Sequence, residues 1–510
     1  MATVLLLGAP GVPSLQAAKK PAVCKKGKTI TLKGSIGAGK INSYVELPFK
    51  VAKGVSKLTV TYSYTGGSTV LDLGIWDNDG FTYKGFRGWS GSRQGRSDDL
   101  DGDEKPDQPP VVIRADKASR NYIPASIAPG RWHIELGVGA IDPAGTDYKV
   151  KVKCRKIAVR KPPKADPVDV DHVARPEPGW YFGDFHMHAY HSNLSGPSQE
   201  DFVDFARAAG LDFMPITEYQ INRHWTEWGQ TALENPDLIF WPGREVITYF
   251  GHAGIIGETP GMVEYRHGYK GISMADIQEK SVARGALFQI NHPTTALPPI
   301  DYLCRGCAWE LDDVIDYSKV DAIEVVNEGA LRRDGTWNPF VDSAIDFWED
   351  KLLEGYFIAP TGGSDDKLGP HYGIPATAVY AEELSRSALR DAVRAGHVWV
   401  AASGLAASPA IEFSASAGEV EAIFGDTLPS ETADFTVHVT NGSGHALVIY
   451  RDGEVVNPVP IPITTDDFTY EFTGTAADTD NPLGSYYRIE TREVPGGLLS
   501  TLGMPIFLVP

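Results

Sequence analysis

Six side chains able to hold a metal ion stand at or near the ends of apolar runs: His186, His188, Glu245, His252, His292 and Asp365. His186 and His188 are spaced i, i+2, which on a strand puts both imidazoles on one side. Glu218 ends LDFMPITE, Glu245 follows Pro242-Gly243, His292 ends ALFQINHP, Asn327 ends DAIEVVN and Asp365 ends FIAPTGGSD. Two His, a Glu and an Asp suit Zn²⁺, Mn²⁺ or Fe equally, so the metal's identity stays open. The chemistry such a set supports is hydrolysis: a metal-activated hydroxide attacks an electrophilic phosphorus or carbonyl carbon.

Residues so far apart meet only if a repeating architecture gathers them. From Gly179 the sequence alternates strand-like and helix-like runs, which predicts a central α/β barrel over residues 179–403. Strand C-terminal ends converge on one face of a barrel, where active sites sit. PSQEDFVDFARAAG is a predicted helix, with Ser198 as its cap and Phe202, Phe205, Ala206 and Ala209 on one face. Residues 24–156 alternate apolar and polar positions between Gly and Asp-Gly turns, the pattern of a jelly-roll-like β-sandwich. Residues 157–178 are a Pro-rich, charged linker, and 406–510 return to strands as a second β-sandwich. The expected fold is thus multidomain, a central α/β barrel flanked by two all-β sandwich domains.

GDFHMHAYHSN, MPITEYQ, PGREVITYFGHAGIIG, FQINHP and TGGSDDK follow one another in the order of the motifs of the PHP (polymerase and histidinol phosphatase) superfamily. With LGIWDNDGFTYKGFRGWSG upstream, the chain most resembles its CehA/McbA-type metallohydrolases over about residues 50–405. That resemblance implies a distorted (β/α)7 barrel with up to three metals. It implies a first site of His186, His188, Glu245 and Asp365, with Glu245 bridging to a second that His252 and His292 complete. The third site departs from the family pattern: Asn193 or Leu194 stands for an Asp or His, Tyr219 for a His, and Lys367 for a His. A dinuclear site holding two divalent transition metals (Zn, Mn or Fe) is therefore expected. Lys367 and Tyr219 then either supply charge and a proton donor at the third position or merely fill it. His371 is a candidate replacement ligand.

Other signals leave alternatives open. Arg223, His224 and Trp225 fall in a loop over the expected site and are candidate substrate contacts, with His224 also a candidate catalytic group. Glu218 reads as a general base, a residue behind the ligands or an inner hydrogen-bond acceptor. Asp99, Asp101, Asp103 and Asp107 have the spacing of a calcium loop, or of a solvated acidic one. Cys24 and Cys154, near the two ends of the first β-rich region, could bridge and tie it shut. Cys304 and Cys307 form a C-x-x-C with no second C-x-x-C or nearby His pair in the sequence, which favours a disulfide or inert pair over zinc.

The formal net charge is -19, which opposes binding to a phosphate backbone, so no nucleic-acid partner is expected. No stretch approaches the roughly 20 apolar residues of a membrane span. Residues 1–20 read as a signal or disordered segment: they carry a short apolar run before Leu15-Gln16-Ala17 but no basic start. A secreted or cell-surface protein follows from that reading. The expected function is phosphoesterase action on a small-molecule phosphomono- or diester. The alternatives are a carboxyl-ester or carbamate hydrolase, and a non-catalytic metal- or glycan-binding surface protein.

Overall fold

A computed structural model of the chain describes residues 20–82, 84–92, 110–193, 195–221, 223–258, 264–297 and 304–510. The N-terminal segment expected to be a signal, Leu194, and the acidic loop with Asp99, Asp101, Asp103 and Asp107 lie outside the described residues.

The centre is built on nine strands: β1 (Gly179–Gly183), β2 (Phe213–Ile216), β3 (Ile239–Ile247), β4 (His252–Ile256), β5 (Leu287–Asn291), β6 (Ala322–Asn327), β7 (Ala359–Gly363), β8 (Ala376–Ala381) and β9 (Val398–Ala401). They are ordered β7-β6-β5-β4-β3-β2-β1-β8-β9 across one sheet. The segment after β1 meets the segment after β7 through Phe185 N–H to Gly362 O (3.2 Å), Asp365 N–H to His186 O (2.8 Å) and His188 N–H to Asp366 O (3.2 Å). The sheet's ends therefore meet through hydrogen bonds, and no continuous ladder closes a barrel among the described strands. Nor are the strands all parallel. β4 runs antiparallel to both β3 and β5, and β8 runs antiparallel to β1 and β9.

Helices α1 (Gln199–Ala208), α2 (Gly229–Glu234), α3 (Met274–Val282), α4 (Phe340–Leu353) and α5 (Arg386–Arg394) alternate with these strands. Local chemistry sets α1: the Ser198 hydroxyl accepts from Asp201 N–H and the Asp201 carboxylate from Ser198 N–H, a reciprocal cap, while Phe202, Val203 and Ala206 face the core. α3 begins with the same device at Ser273 and Asp276.

Residues 22–155 form a five-stranded and a four-stranded sheet that share one apolar cluster, including Phe49, Leu73, Trp132, Leu58 and Val152. The Cys24–Cys154 disulfide joins their first and last strands. Trp76, Phe86 and Trp89 of the five-stranded sheet belong instead to the central apolar cluster, so this sheet packs on the centre. At the other end, Leu499–Gly503 pairs with β9, and Ser485–Glu493 and His445–Arg451 follow. The last strands thus extend the central sheet, while Ala410–Ala417, Thr432–Thr440 and Asp467–Thr475 lie in a separate four-stranded sheet. Arg488 fastens them to α4 through both Glu349 oxygens, at 2.7 and 2.9 Å. No helix among the described residues is long and apolar enough to cross a membrane.

Candidate metal centre

His186 and His188 lie just beyond the end of β1, on either side of Met187, whose backbone bridges to Ile216 and Asp366. Glu245 is on β3 opposite Gly254 of β4, and His252 lies two residues before Gly254 on the same face. His292 and Asp365 follow β5 and β7 with φ of +31° and +46°, left-handed conformations unfavourable to residues with a Cβ. Strain of this kind collects where surrounding structure holds a functional geometry.

The six side chains converge. Glu245 Oε2 lies 3.4 Å from His186 Nε2 and 3.5 Å from His188 Nε2. Its other oxygen, Oε1, lies 3.1 Å from His252 Nδ1 and 3.4 Å from His292 Nε2. Asp365 Oδ1 is 2.8 Å from His188 Nε2 and 3.4 Å from His186 Nε2. Potential ligand atoms of His186, His188, Glu245 and Asp365 all lie within 4.8 Å of one another, as do those of His252, His292 and Cys307 and those of His186, His292 and Glu324. The set is buried except for Asp365, whose side chain is 18% exposed. His186 Nε2 and Glu245 Oε2 have no hydrogen-bond partner. Buried polar atoms left without partners are costly, so this donor set fits a cation.

Electrostatics separates the groups. Burial works against a charged His186, but Glu324, Asp365 and Glu245 outweigh it and hold its pKa well above the ordinary value. Burial keeps His188 and His252 low, as neutral ligands require. Burial opposes ionisation of Glu245 and Asp365, yet His186 holds the first well below the carboxylate range and Lys367 with His186 the second.

Behind the ligands stand residues that the sequence did not single out. Glu324 accepts from His186 Nδ1 at 3.2 Å, from His292 N–H at 2.8 Å and from Asn327 Nδ2 at 2.9 Å. This fixes the His186 tautomer so that Nε2 faces Glu245. Gly363 makes room for it, since a Cβ there would lie 2.3 Å from His186 Cβ and 2.5 Å from Glu324 Oε1. Ser192 does the same for His188: its hydroxyl donates to Glu218 and accepts from His188 Nδ1 (2.9 Å) and Tyr219 N–H (3.0 Å). Asp184 accepts three backbone N–H groups, of His186, Ser364 and Gly373, and burial lifts its pKa to about 7. A lone acid inside the apolar run AIEVVN was the available sign of Glu324.

Glu218 is brought near the cluster, where its oxygens accept from His191 N–H (3.0 Å) and Ser192, so it supports His188 through Ser192. Lys367 and Tyr219 are brought in: Lys367 Nζ is 2.5 Å from Asp365 Oδ1 and 5.7 Å from the Tyr219 ring centre. Burial raises the Tyr219 phenol well above its ordinary value; Lys367 is also raised, Asp365 overcoming burial. Arg223 pairs with Glu227 at 2.5 Å and donates to Tyr122 O at 3.0 Å. His224 is fully buried and burial pushes its pKa down to about 4, which leaves it neutral behind Glu218. Asn193 Oδ1 accepts from Ser195 N–H, and His371 is in none of the donor groups.

Cys304 and Cys307 are disulfide-bonded, as a local pair. The expectation that no His pair lies near them fails in space, because Cys307 falls beside His252 and His292. A cavity of about 280 Å³ opens beside His252 and Tyr219, walled by Asp72 and Trp89 of the five-stranded sheet, by Asn121 and by Arg305.

No family model matches the sequence, and no curated protein matches it. Among solved structures, the chain aligns with a two-domain Bacteroides vulgatus protein described as containing a predicted PHP-like metal-dependent phosphoesterase, at 16% identity and TM-score 0.34, covering 68% of this chain and 100% of that one. PsfC from Pseudomonas syringae (16%, TM-score 0.29) aligns over 42% of this chain and 87% of its own. The lesion-specific endonuclease EndoQ from Pyrococcus furiosus (14%, TM-score 0.29) aligns over 42% and 56%. At these identities and scores the likeness assigns no role to any residue.

Proposed function

We propose that the chain is a metal-dependent phosphoesterase of the PHP type, acting on a small phosphomono- or diester at a dinuclear site. The observation that carries this reading is Glu245, whose two oxygens face two separate histidine pairs. His186, His188, Glu245 and Asp365 would hold one cation, and Glu245, His252 and His292 the other. Two divalent cations bound there lower the pKa of water and offset charge developing on a phosphoryl oxygen.

The chain's own residues do the rest. Glu324 and Ser192 lock the ligand rings, so the site is organised before substrate arrives. Lys367, an ammonium beside Asp365, places a fixed positive charge at the edge of the cluster. Tyr219, a phenol at working pH, offers a donor on the same side. The adjacent cavity takes the leaving group between Trp89 and Arg305, and its size suits a small molecule.

The test is metal content followed by turnover. The purified protein should hold about two transition-metal ions per chain by elemental analysis. Glu245→Ala should lose both, and His292→Ala the second first. A panel of an aryl phosphate, a phosphodiester and a carboxyl ester, with Mn²⁺ or Zn²⁺ added, should show phosphate-ester turnover that a chelator abolishes. No metal after metal-replete expression would end the reading; turnover of the carboxyl ester alone would select the ester or carbamate alternative.

A further inference from the structure

We propose that reduction of the Cys304–Cys307 disulfide frees the Cys307 thiolate to form, with His252 and His292, a donor set for thiophilic cations such as Zn²⁺. The inference rests on the metal reading above and concerns a residue that reading does not use.

Cys307 is 4% exposed, and its sulfur lies within 4.8 Å of ligand atoms of both His252 and His292. Two further atoms point to an unfilled coordination role. His252 Nε2 and His292 Nδ1 are buried and have no hydrogen-bond partner, although the opposite nitrogen of each ring faces Glu245. Two rings and a sulfur from three separate chain segments thus form one buried donor group.

A disulfide sulfur is a poor ligand, whereas a thiolate is a strong and soft one. A small dithiol reductant supplies two electrons: the Sγ–Sγ bond breaks, two cysteine thiols form, and the dithiol closes to its own cyclic disulfide. The Cys307 thiol then gives its proton to solvent as its sulfur binds the cation. With His252 and His292 the sulfur then makes a three-donor set that does not include Glu245. A three-donor zinc site keeps a position for water. The oxidised pair lacks this set, and the reduced pair supplies it.

Cys304→Ser and Cys307→Ser both remove the disulfide and differ only in which thiol remains, so loss of the bridge itself cancels between them. Full-length protein loaded with Co²⁺ reports the ligands by absorption. Cys304→Ser should show a near-ultraviolet thiolate-to-cobalt band besides the visible cobalt bands, and bind Zn²⁺ about tenfold or more tightly than Cys307→Ser. Cys307→Ser should show the visible bands alone. The wild type should gain the near-ultraviolet band only on treatment with the dithiol, a reading that needs no variant to fold. Visible bands without the near-ultraviolet band in both Cys304→Ser and the reduced wild type would overturn the role of Cys307 and leave the metal reading standing. No cobalt bands in any sample would overturn both.

Discussion

The Lys367 ammonium lies 2.5 Å from Asp365 Oδ1 and 2.8 Å from the Asp365 carbonyl oxygen, with the Tyr219 ring below it. A histidine at 367 could take a cation; a lysine is one. If Lys367 supplies the charge that a third metal would bring, Lys367→Ala should cut kcat/KM by roughly 10²- to 10³-fold, the size of effect seen when an oxyanion donor is removed. Metal content should stay at its wild-type value, because Asp365 remains. Near-normal kcat/KM on a good substrate, with metal retained, would show Lys367 to be a filler. At this scale the sequence was informative where chemistry is local to a motif: His186, His188, Glu245, His252, His292 and Asp365 all reach one cluster. It was silent on Glu324 and Ser192, because their roles depend on which ring each faces. It could not show the surroundings of Arg223 and His224, since nothing local reveals that Glu227 and Tyr122 pair with the first and that the core encloses the second.

β3, β4 and the turn between them carry Glu245 and His252, so the geometry of that hairpin is the geometry of the second position. The turn closes at Gly251, where φ is +152° and a Cβ would lie 2.5 Å from the Trp309 ring, itself packed in the core. Gly251→Ala must push Trp309 or the strand end aside, at a cost of about 1–3 kcal/mol typical of overpacking. Urea unfolding should show that loss, and elemental analysis should show His252's cation depleted before that of His186 and His188. Unchanged stability and metal content would mean the hairpin absorbs the change elsewhere. This hairpin also departs from the strand–helix alternation that the sequence suggested. α1 and α3 are legible because their caps and apolar faces are local, whereas β4 returns antiparallel over a turn against which Trp309 and Leu311, far along the chain, pack. The joining of Leu499–Gly503 to β9 was equally hidden, because a strand's partner is not written in its own alternation.

Across the whole molecule, the five-stranded N-terminal sheet is one wall of the candidate site, and its contact with the centre contains buried acids. Asp72 is 9% exposed, accepts from the Tyr249 hydroxyl at 2.7 Å and lines the cavity beside Arg305. Burial raises its pKa from 3.8 to about 6, with Tyr249 and Arg305 only partly opposing. A carboxyl whose folded pKa lies above its unfolded one holds its proton longer in the native state. Its contribution to stability is therefore fully present below pH 3.8 and is lost as pH rises through 6. Asp72→Asn keeps an acceptor for Tyr249 and removes the titration. The wild type's stability relative to Asp72→Asn should fall by about 2 kcal/mol between pH 4 and pH 7, most of that pKa shift, and be flat at higher pH. The metal ligands are common to both proteins and their titrations largely cancel in the difference, whereas Glu135, whose pKa burial and, to a smaller degree, the Asp72 charge raise to about 7, adds a smaller change of its own. Denaturant unfolding of the two side by side across this range measures the difference. A difference that does not change with pH would mean that Asp72 is solvated in solution and that the sheet does not seal the wall of the site.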